Sequence, residues 1–344
     1  MNDQHEQFVI PKVALGGWLE RLLASHRVVG PVAATESVTT YSPIGAAAVL
    51  RLDGPRPTVS PKAQIMPQTE TLFVFQGSGP TLTLAPAAPD AAPTVLFGVR
   101  PCDARALGRL DDVFLARKER DIHYERRRRA TMLVGLACAT PSWGCFCTSV
   151  GGSPAGTEGL DLLLTDLGDR YHIAVLTPAG LDLASAAQAE AASVDDAAAA
   201  GAQHAETAAR MPVGFELEAA LRNVRWEAPL WGQISQRCLA CGVCNYLCPA
   251  CHCFDIQDEV TPDGGIRFRC WDTCQFNEFT RMGAGHNPRP TQAERVRQRL
   301  SHKFKYLVDE FGTAGCTGCG RCVERCPVNI DIRTILGAFA EEGR

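Results

Sequence analysis

The chain has 344 residues, of which 46% are hydrophobic, and a formal net charge of −4. This length allows two domains with separate cores, and the slightly acidic balance argues against a nucleic-acid-binding protein. No uncharged apolar run reaches membrane-spanning length and the first eight residues lack a signal-peptide pattern, so we expect a cytoplasmic protein without a membrane partner. The 16 cysteines would stay reduced there, which favours metal ligation over disulfides.

The first residues predict a helix followed by strands. Apolar residues recur at helical spacing over residues 12–26, which predicts an amphipathic helix that packs on the domain that follows. Alternating patterns then predict strands at residues 38–42, 48–52 and 71–76, separated by proline-rich turns.

A β-α-β unit comes next. Two nearly continuous apolar runs, residues 94–100 and 131–137, bracket a helical pattern over residues 104–115. Apolar runs of this kind are typical of parallel strands buried on both faces, so we predict a buried parallel pair. Four consecutive arginines, residues 126–129, precede the second run and predict a solvated or partner-facing edge and not a phosphate-binding site.

Four cysteines follow these two strands. Cys102 comes after the first strand through Pro101, Cys138 directly follows the second, and Cys145 and Cys147 lie one loop further on. Sites in open α/β sheets form beyond the carboxyl ends of the strands, so these four thiols, the sheet-edge group, predict an iron–sulfur cluster or a zinc site. Alternatively, the first two are small buried hydrophobic residues and the last two an idle or redox-active thiol pair.

The composition then changes. After a hairpin pattern at residues 161–165 and 171–175, residues 186–209 are dominated by alanine and read as a helical connector with too little bulk for its own core. We place the domain boundary there. The predicted division is an α/β domain at 1–185, a connector at 186–230 and a cluster-binding domain at 231–344.

Two cysteine runs of identical spacing mark the last part of the chain. Residues 238–249, the first run, and residues 316–327, the second run, each read C-x2-C-x2-C-x3-C-P, the pattern that holds [4Fe–4S] clusters in bacterial ferredoxins. In such pairs the fourth cysteine of each run ligates the other cluster, whereas zinc and disulfide frameworks do not require this spacing. The predicted ligands are Cys238, Cys241, Cys244 and Cys326, the first group, and Cys316, Cys319, Cys322 and Cys248, the second group.

The 67 residues between Cys248 and Cys316 hold four more cysteines. These insert cysteines form a C-x-C and a C-x3-C pattern and are Cys251, Cys253, Cys270 and Cys274. They are candidate ligands of a further metal. The alternative is packing near the clusters, because a C-x-C pair is strained when both thiolates bind one metal.

The insert also contains a basic segment with helical spacing. Its members are Arg295, Arg297, Arg299, His302 and Lys303. Positive charge beside an anionic cluster raises its reduction potential when the charge is desolvated. The alternative is a plain solvated helix face.

The motifs, taken together, resemble a known family. They are Phe97-Gly-Val-Arg-Pro-Cys-Asp103 with Ala106-Leu107, Cys138, Cys145-Phe-Cys147, the two runs, Cys270-Trp-Asp-Thr-Cys274, His286-Asn-Pro-Arg289 and His302-Lys303-Phe304. This set, from about Pro61 to Ile335, resembles the iron–sulfur β subunit of soluble sulfhydrogenases and the iron–sulfur subunit of anaerobic sulfite reductases. The resemblance implies that the eight cysteines of the two runs are cluster ligands. It also implies electron transfer between a flavin subunit that handles NAD(P)H and a catalytic subunit, a nickel–iron hydrogenase or a sirohaem sulfite reductase.

We therefore predict an α/β N-terminal domain, with a mixed or parallel sheet and flanking helices, and an α-rich dicluster ferredoxin-like C-terminal domain with a long insertion. The predicted function is non-catalytic electron transfer through two [4Fe–4S] clusters and a candidate third cluster. The alternative is a self-contained flavin- or NAD(P)H-dependent iron–sulfur oxidoreductase. The sequence has no G-x-G-x-x-G after a strand and no P-loop, which favours the first hypothesis.

Overall fold

The computed structural model describes residues 6–54, 56–77, 79–88, 90–212 and 214–341. The strands are β1 Gln7–Pro11, β2 Arg27–Ala33, β3 Thr39–Pro43, β4 Thr69–Gln76, β5 Thr83–Pro86, β6 Thr94–Val99, β7 Thr131–Leu136, β8 Leu162–Asp166, β9 Arg170–Val175, β10 Glu190–Ala191, β11 Phe254–Thr261 and β12 Gly264–Trp271. The helices are α1 Leu15–Leu23, α2 Pro101–Leu115, α3 Ile122–Arg129, α4 Pro178–Ala187, α5 Val194–Ala209, α6 Leu217–Asn223, α7 Leu230–Ser235, α8 Val243–Tyr246, α9 Gln292–Ser301, α10 Leu307–Phe311, α11 Arg321–Glu324 and α12 Ile332–Glu341.

A mixed eight-stranded sheet in the order β10-β1-β9-β8-β7-β6-β2-β3 forms the centre of the N-terminal half. Its middle strands β2, β6, β7 and β8 are parallel, and the flanking strands are antiparallel. The predicted parallel pair is confirmed as β6 and β7, with Val95 opposite Met132. The predicted hairpin is confirmed as β8 and β9.

Both faces of this sheet are covered, which explains the continuous apolar runs. The predicted first helix is confirmed as α1, and Trp18 on α1 packs edge-on against Phe97 of β6 with ring centroids 5.2 Å apart. On the opposite face, Leu96 of β6 packs with Leu107 of α2 and Tyr124 of α3. Successive residues of a strand point to opposite faces, so a strand between two helical layers needs apolar residues at every position.

One predicted strand is wrong. Residues 47–49 form a 3-10 turn, and only Leu50 makes an isolated bridge, to Val32. Leu50 and Leu52 are both buried in the core of the large sheet, so the alternating apolar pattern reflects burial. An alternating pattern predicts which side chains face the core, but it does not supply a neighbouring strand for hydrogen bonding.

A second sheet, antiparallel in the order β11-β12-β4-β5, joins residues from both halves of the chain. Strand β4 includes the predicted strand 71–76, and its partner β12 comes from the insert, with Thr69 opposite Cys270. At the base of this sheet, Glu70 forms ion pairs with Arg269, at 2.6 Å, and with Arg127. The predicted solvated arginine edge is therefore wrong at Arg127, which is buried because a carboxylate from β4 reaches it.

The alanine-rich segment is not one continuous helix. Short strand β10 pairs with β1, and helix α5 then begins at a capping box in which Ser193 and Asp196 bond each other's backbone amides. The helix docks on the sheet through its alanine face and through a 2.8 Å hydrogen bond between His204 and Thr165. At 16 residues α5 is the longest described helix, and none of the described helices is long and apolar enough to cross a membrane.

Helices α6, α7, α9 and α12 enclose the core of the C-terminal half. Trp231, Phe304 and Phe339 are buried there. Phe146, from the loop of the sheet-edge group, is buried in the same core. The loop after β7 is thereby held against the two cysteine runs.

Candidate metal centres

The two cysteine runs adopt the same backbone conformation. Gly242 and Gly320 have φ of 73° and 77°, and each begins a short helix, α8 or α11. Two residues earlier, Ala240 and Gly318 are also left-handed, with φ of 55° and 65°. These left-handed residues curl each C-x2-C-x2-C loop so that its cysteines face one side.

The first group surrounds one cavity. Cys238, Cys241 and Cys244 of the first run line one cavity together with Cys326, the last cysteine of the second run, and with Cys322 of the second group. Its other walls are largely apolar and include Ile335 of α12. The four residues that the exchange of fourth cysteines predicts are therefore close together, with Cys322 beside them, and which of the five bind a cluster stays a prediction.

Sulfur atoms of the first group accept hydrogen bonds from polar N–H groups. The Gln292 side-chain amide donates to Cys238 Sγ at 3.2 Å, and the backbone N–H of Ile330 donates to Cys326 Sγ at 3.2 Å. Such donors stabilise a thiolate and tune the potential of a cluster that the thiolate holds.

The second group is linked by a buried lysine. Lys303 Nζ donates to Cys248 Sγ at 3.2 Å and to the carbonyl oxygen of Gly315 at 3.0 Å, next to Cys316. Burial raises the pKa of Cys316 to about 12 and that of Cys319 to about 11. The pKa of Cys248 is instead lowered, because the Cys251 thiol donates a hydrogen bond to it and Lys303 is adjacent.

The sheet-edge group lies beyond the carboxyl ends of β6 and β7. Its four cysteines line one cavity, and Cys319 of the second group lines the same cavity. Two hydrogen bonds fix this arrangement. The backbone N–H of Phe146 donates to the Gly318 carbonyl at 2.8 Å, and the Cys145 thiol donates to the Cys319 carbonyl at 3.8 Å. Burial raises the pKa of Cys147 to about 12.

An ion pair joins the second run to the N-terminal half. Arg321 of α11 donates to both carboxylate oxygens of Asp103 on α2, at 2.6 and 2.8 Å, and also to the carbonyl oxygen of Pro57. Both charged side chains are 0% exposed. Removal of either partner would leave an isolated buried charge, so this pair fixes the second run on the sheet.

Three of the four insert cysteines meet. Cys251, Cys253 and Cys274 line one cavity. Cys270 does not line this cavity, because β12 places it in the sheet, opposite Asp255 of β11. A hydrogen bond from the Cys253 thiol lowers the pKa of Cys274 to about 6.

The basic segment is largely buried. A π-helical turn at His302–Tyr306 connects α9 to α10, a feature that often marks functional sites. Arg299 and Lys303 are buried beside the cysteines, whereas Arg297 is more exposed and stacks on Trp226 at 3.5 Å from the ring centre. Burial lowers the pKa of His302 to about 4, so the imidazole is neutral at pH 7.

The sequence reasoning missed several polar residues at these sites. They are Arg56, Lys62, Asn245 and Arg321. Arg56 and Lys62 lie in a proline-rich stretch without periodicity and carry no sequence signal. Arg321 could have been found, since the matching position of the first run is Val243 and a charge within one of two like runs is conspicuous.

The cysteine groups fit iron–sulfur clusters better than single ions. In the described part of the chain, no three His, Cys, Asp or Glu side chains lie close enough together to hold one metal ion. The thiols of the first group, the sheet-edge group and the insert instead line cavities, as a multi-iron cluster requires, and buried cations and N–H donors contact sulfur atoms of the first and second groups.

Comparisons with known proteins agree with this geometry. A family model described as a 4Fe-4S dicluster domain matches residues 237–330. The chain is similar to sulfhydrogenase 2 subunit beta of Pyrococcus furiosus, with 30% identity over 329 residues that cover 94% of this chain and 95% of that protein. No solved structure matches the chain.

Proposed function

Because this chain belongs to the family of sulfhydrogenase β subunits, we propose that it is the iron–sulfur electron-transfer subunit of a cytoplasmic oxidoreductase complex. Its partners are a flavin subunit that handles NAD(P)H and a catalytic subunit, a hydrogenase or a sulfite or sulfur reductase. The relative is named as a subunit of a sulfhydrogenase, and the similarity covers nearly the whole of both chains, which supports a place in a multisubunit complex.

The observation that carries the proposal is the unbroken succession of cysteine groups. Cys322 of the second group lines the cavity of the first group, and Cys319 lines that of the sheet-edge group. When bound, a [4Fe–4S] cluster is a one-electron carrier whose potential depends on charge, hydrogen bonds to sulfur and exposure. The chain fixes the ligands on packed helices and strands and supplies buried cations.

The proposed cluster ligands are the cysteines of the first, second and sheet-edge groups. The first and second groups each hold one [4Fe–4S] cluster in an α-rich, ferredoxin-type domain with a long insertion, and the sheet-edge group holds a third cluster. Two contacts fix the position of the sheet-edge group. The backbone of its loop donates a hydrogen bond to the Gly318 carbonyl, and Phe146 packs into the C-terminal core.

Iron counting on variants tests these assignments. The full-length chain, produced and purified anaerobically, should contain about four irons per cluster. Cys241→Ser should remove about four irons, and Cys145→Ser about four others. Cys270→Ala is the matched control, since this cysteine lies outside all three groups. Unchanged iron in Cys145→Ser would contradict the third cluster, and unchanged iron in Cys241→Ser would contradict the first.

Electron transfer is then measured in the complex purified with its partner subunits. The Cys241→Ser complex should lose reduction of its acceptor by NAD(P)H, while Cys270→Ala keeps it. Passage of electrons at the wild-type rate through a variant that lacks the first cluster would contradict the proposal. Flavin that stays bound to the isolated chain after gel filtration would instead support a self-contained oxidoreductase.

A further inference from the structure

We infer that Cys251, Cys253 and Cys274 bind a further iron–sulfur cluster beside the second group, so that the insert is part of the electron path. This inference extends the proposed function and rests on it, and it divides the insert cysteines, since Cys270 has no part in the site. Three observations carry it: the shared cavity, the hydrogen bonds to sulfur and the uncompensated buried charge.

The first observation is the meeting of three thiols from two distant segments. Cys251 and Cys253 follow the first run, whereas Cys274 follows β12, and all three line one cavity. The Asp272 backbone N–H donates to the Cys253 carbonyl at 3.0 Å, which fixes the two segments side by side. The imidazoles of His252 and His302 line the same cavity and could provide a non-cysteine ligand to a fourth iron.

The second observation is that two side-chain amides donate hydrogen bonds to the sulfur atom of Cys274, as they would to a thiolate. Asn245 Nδ2 donates to Cys274 Sγ at 3.0 Å, and Gln275 Nε2 donates at 3.6 Å. A neutral thiol is a weak acceptor, and two amide donors at one sulfur suit a metal-bound thiolate. Cys238 and Cys248 of the two predicted clusters also accept side-chain N–H donors, whereas no such donor to Cys270 is found among the described residues.

The third observation is the positive charge around the cavity. Lys62, Arg299 and Lys303 are only 3%, 8% and 4% exposed. Among the residues that the structure describes, no carboxylate lies within ion-pairing distance of any of these three cations. Buried charges need opposite charge nearby, and thiolate-bound iron–sulfur clusters are anionic.

The three cations lie against different cysteine groups. Lys303 contacts Cys248 of the second group. Lys62 lies on the other side, where it donates to the Cys251 carbonyl at 2.8 Å and stands over the Trp271 ring at 3.9 Å. Arg299 donates at 2.9 Å to Asn245, which in turn donates to Cys274. Arg299 also donates to the Cys244 carbonyl at 3.4 Å and lines the cavities of both the first group and the insert site. Lys62 is therefore the cation that the first and second groups do not account for.

The insert site also adjoins both groups of the dicluster domain, as electron transfer to it requires. The thiols of Cys248 and Cys251 are hydrogen-bonded to each other, so the insert site directly adjoins the second group. On the other side, Asn245 connects the site to the first group, because it accepts a hydrogen bond from the Cys244 thiol at 3.6 Å and donates one to Cys274 Sγ. A cluster here is a branch that borders both clusters of the dicluster domain.

The experiment compares two cysteines of the same C-x3-C motif. The full-length chain is purified anaerobically, and its iron, acid-labile sulfide and Mössbauer spectrum are measured for wild type, Cys274→Ser and Cys270→Ser. We expect Cys274→Ser to lose about three to four irons with matching sulfide, and Cys270→Ser to equal wild type. Equal iron in all three proteins would overturn the inference, and so would loss of zinc without loss of sulfide.

A second variant keeps every cysteine, so that it tests the inference even if Cys274→Ser does not fold. Lys62→Met removes a buried cation from the insert site, and we expect unchanged iron with one reduction potential shifted downwards in a redox titration followed by EPR. Unchanged potentials would contradict the inference. If Cys241→Ser loses iron but Cys274→Ser does not, the inference fails while the proposed function stands. If neither loses iron, the proposed function fails.

Discussion

The first and second cysteine runs share their spacing and backbone but differ in their surroundings. Leu239 of the first run is 62% exposed, whereas Thr317, at the matching position of the second run, is 2% exposed. The next cysteine is exposed in the first run, as Cys241, and buried in the second, as Cys319. One motif therefore occupies two environments, the first at the surface and the second between the two halves of the protein.

The difference shows what the motif determines and what the rest of the chain adds. The left-handed residues and short helices are local, so both runs have them. The burial of a run and the charges around it depend on distant segments of the chain. In the second run, for example, Arg321 forms an ion pair with Asp103 on α2. Potentials depend on charge and exposure, so two clusters on like runs are expected to differ in potential.

The largest effect is expected when Arg321 of the second run is replaced by the residue at the matching position of the first run. Arg321→Val copies Val243 and leaves the Asp103 carboxylate buried without a partner, which should destabilise the protein by about 3–5 kcal/mol. The measurement is the midpoint of thermal unfolding of the anaerobic protein.

The control removes both charges. The double variant Arg321→Met with Asp103→Leu should recover most of the lost stability, because neither charge is then left alone. A single variant as stable as wild type would show that the ion pair does not hold the second run in place.

The next effect tests the close approach at Gly318. A Cβ at this residue would lie 2.5 Å from the backbone of Cys147 and Phe146, in addition to the left-handed φ of 65°. We expect Gly318→Ala to cost about 2–4 kcal/mol and to release iron from the sheet-edge group as well as the second group.

The matching change in the first run is Ala240→Gly. Its φ of 55° already suits glycine, and we expect a change of less than about 1 kcal/mol with full iron content. Similar losses of stability in both variants would mean that the two runs are equally confined. The same thermal and iron measurements decide this.

The parts of the fold that were predictable are local or repetitive. The continuous apolar runs predicted β6 and β7 because a strand covered on both faces needs apolar side chains at every position. The spacing of the first run was sufficient to predict that Cys238, Cys241 and Cys244 lie close together, because the loop is only a few residues long.

The parts that could not be predicted depend on contacts between distant residues. Nothing in the sequence around Glu70 indicates that β4 pairs with β12, or that Arg127 is buried there. The C-x3-C pattern gave no reason to separate Cys270 from Cys274. They separate because β12 ends at Trp271, so that one cysteine belongs to the sheet and the other to the loop that follows.

The smallest effect concerns access to the exposed run. Because Leu239 is 62% exposed beside the first group, we expect the redox partner to approach here. Leu239→Glu should leave iron content unchanged and weaken binding of the partner by about 1.4 kcal/mol, which is roughly tenfold in affinity. Val194→Glu is the control, because Val194 is equally apolar and 86% exposed on α5, away from the runs. The measurement is the partner-concentration dependence of cluster reduction. Equal weakening by both variants would point to a general charge effect, and no weakening by Leu239→Glu would place the electron exit elsewhere, beside the sheet-edge group.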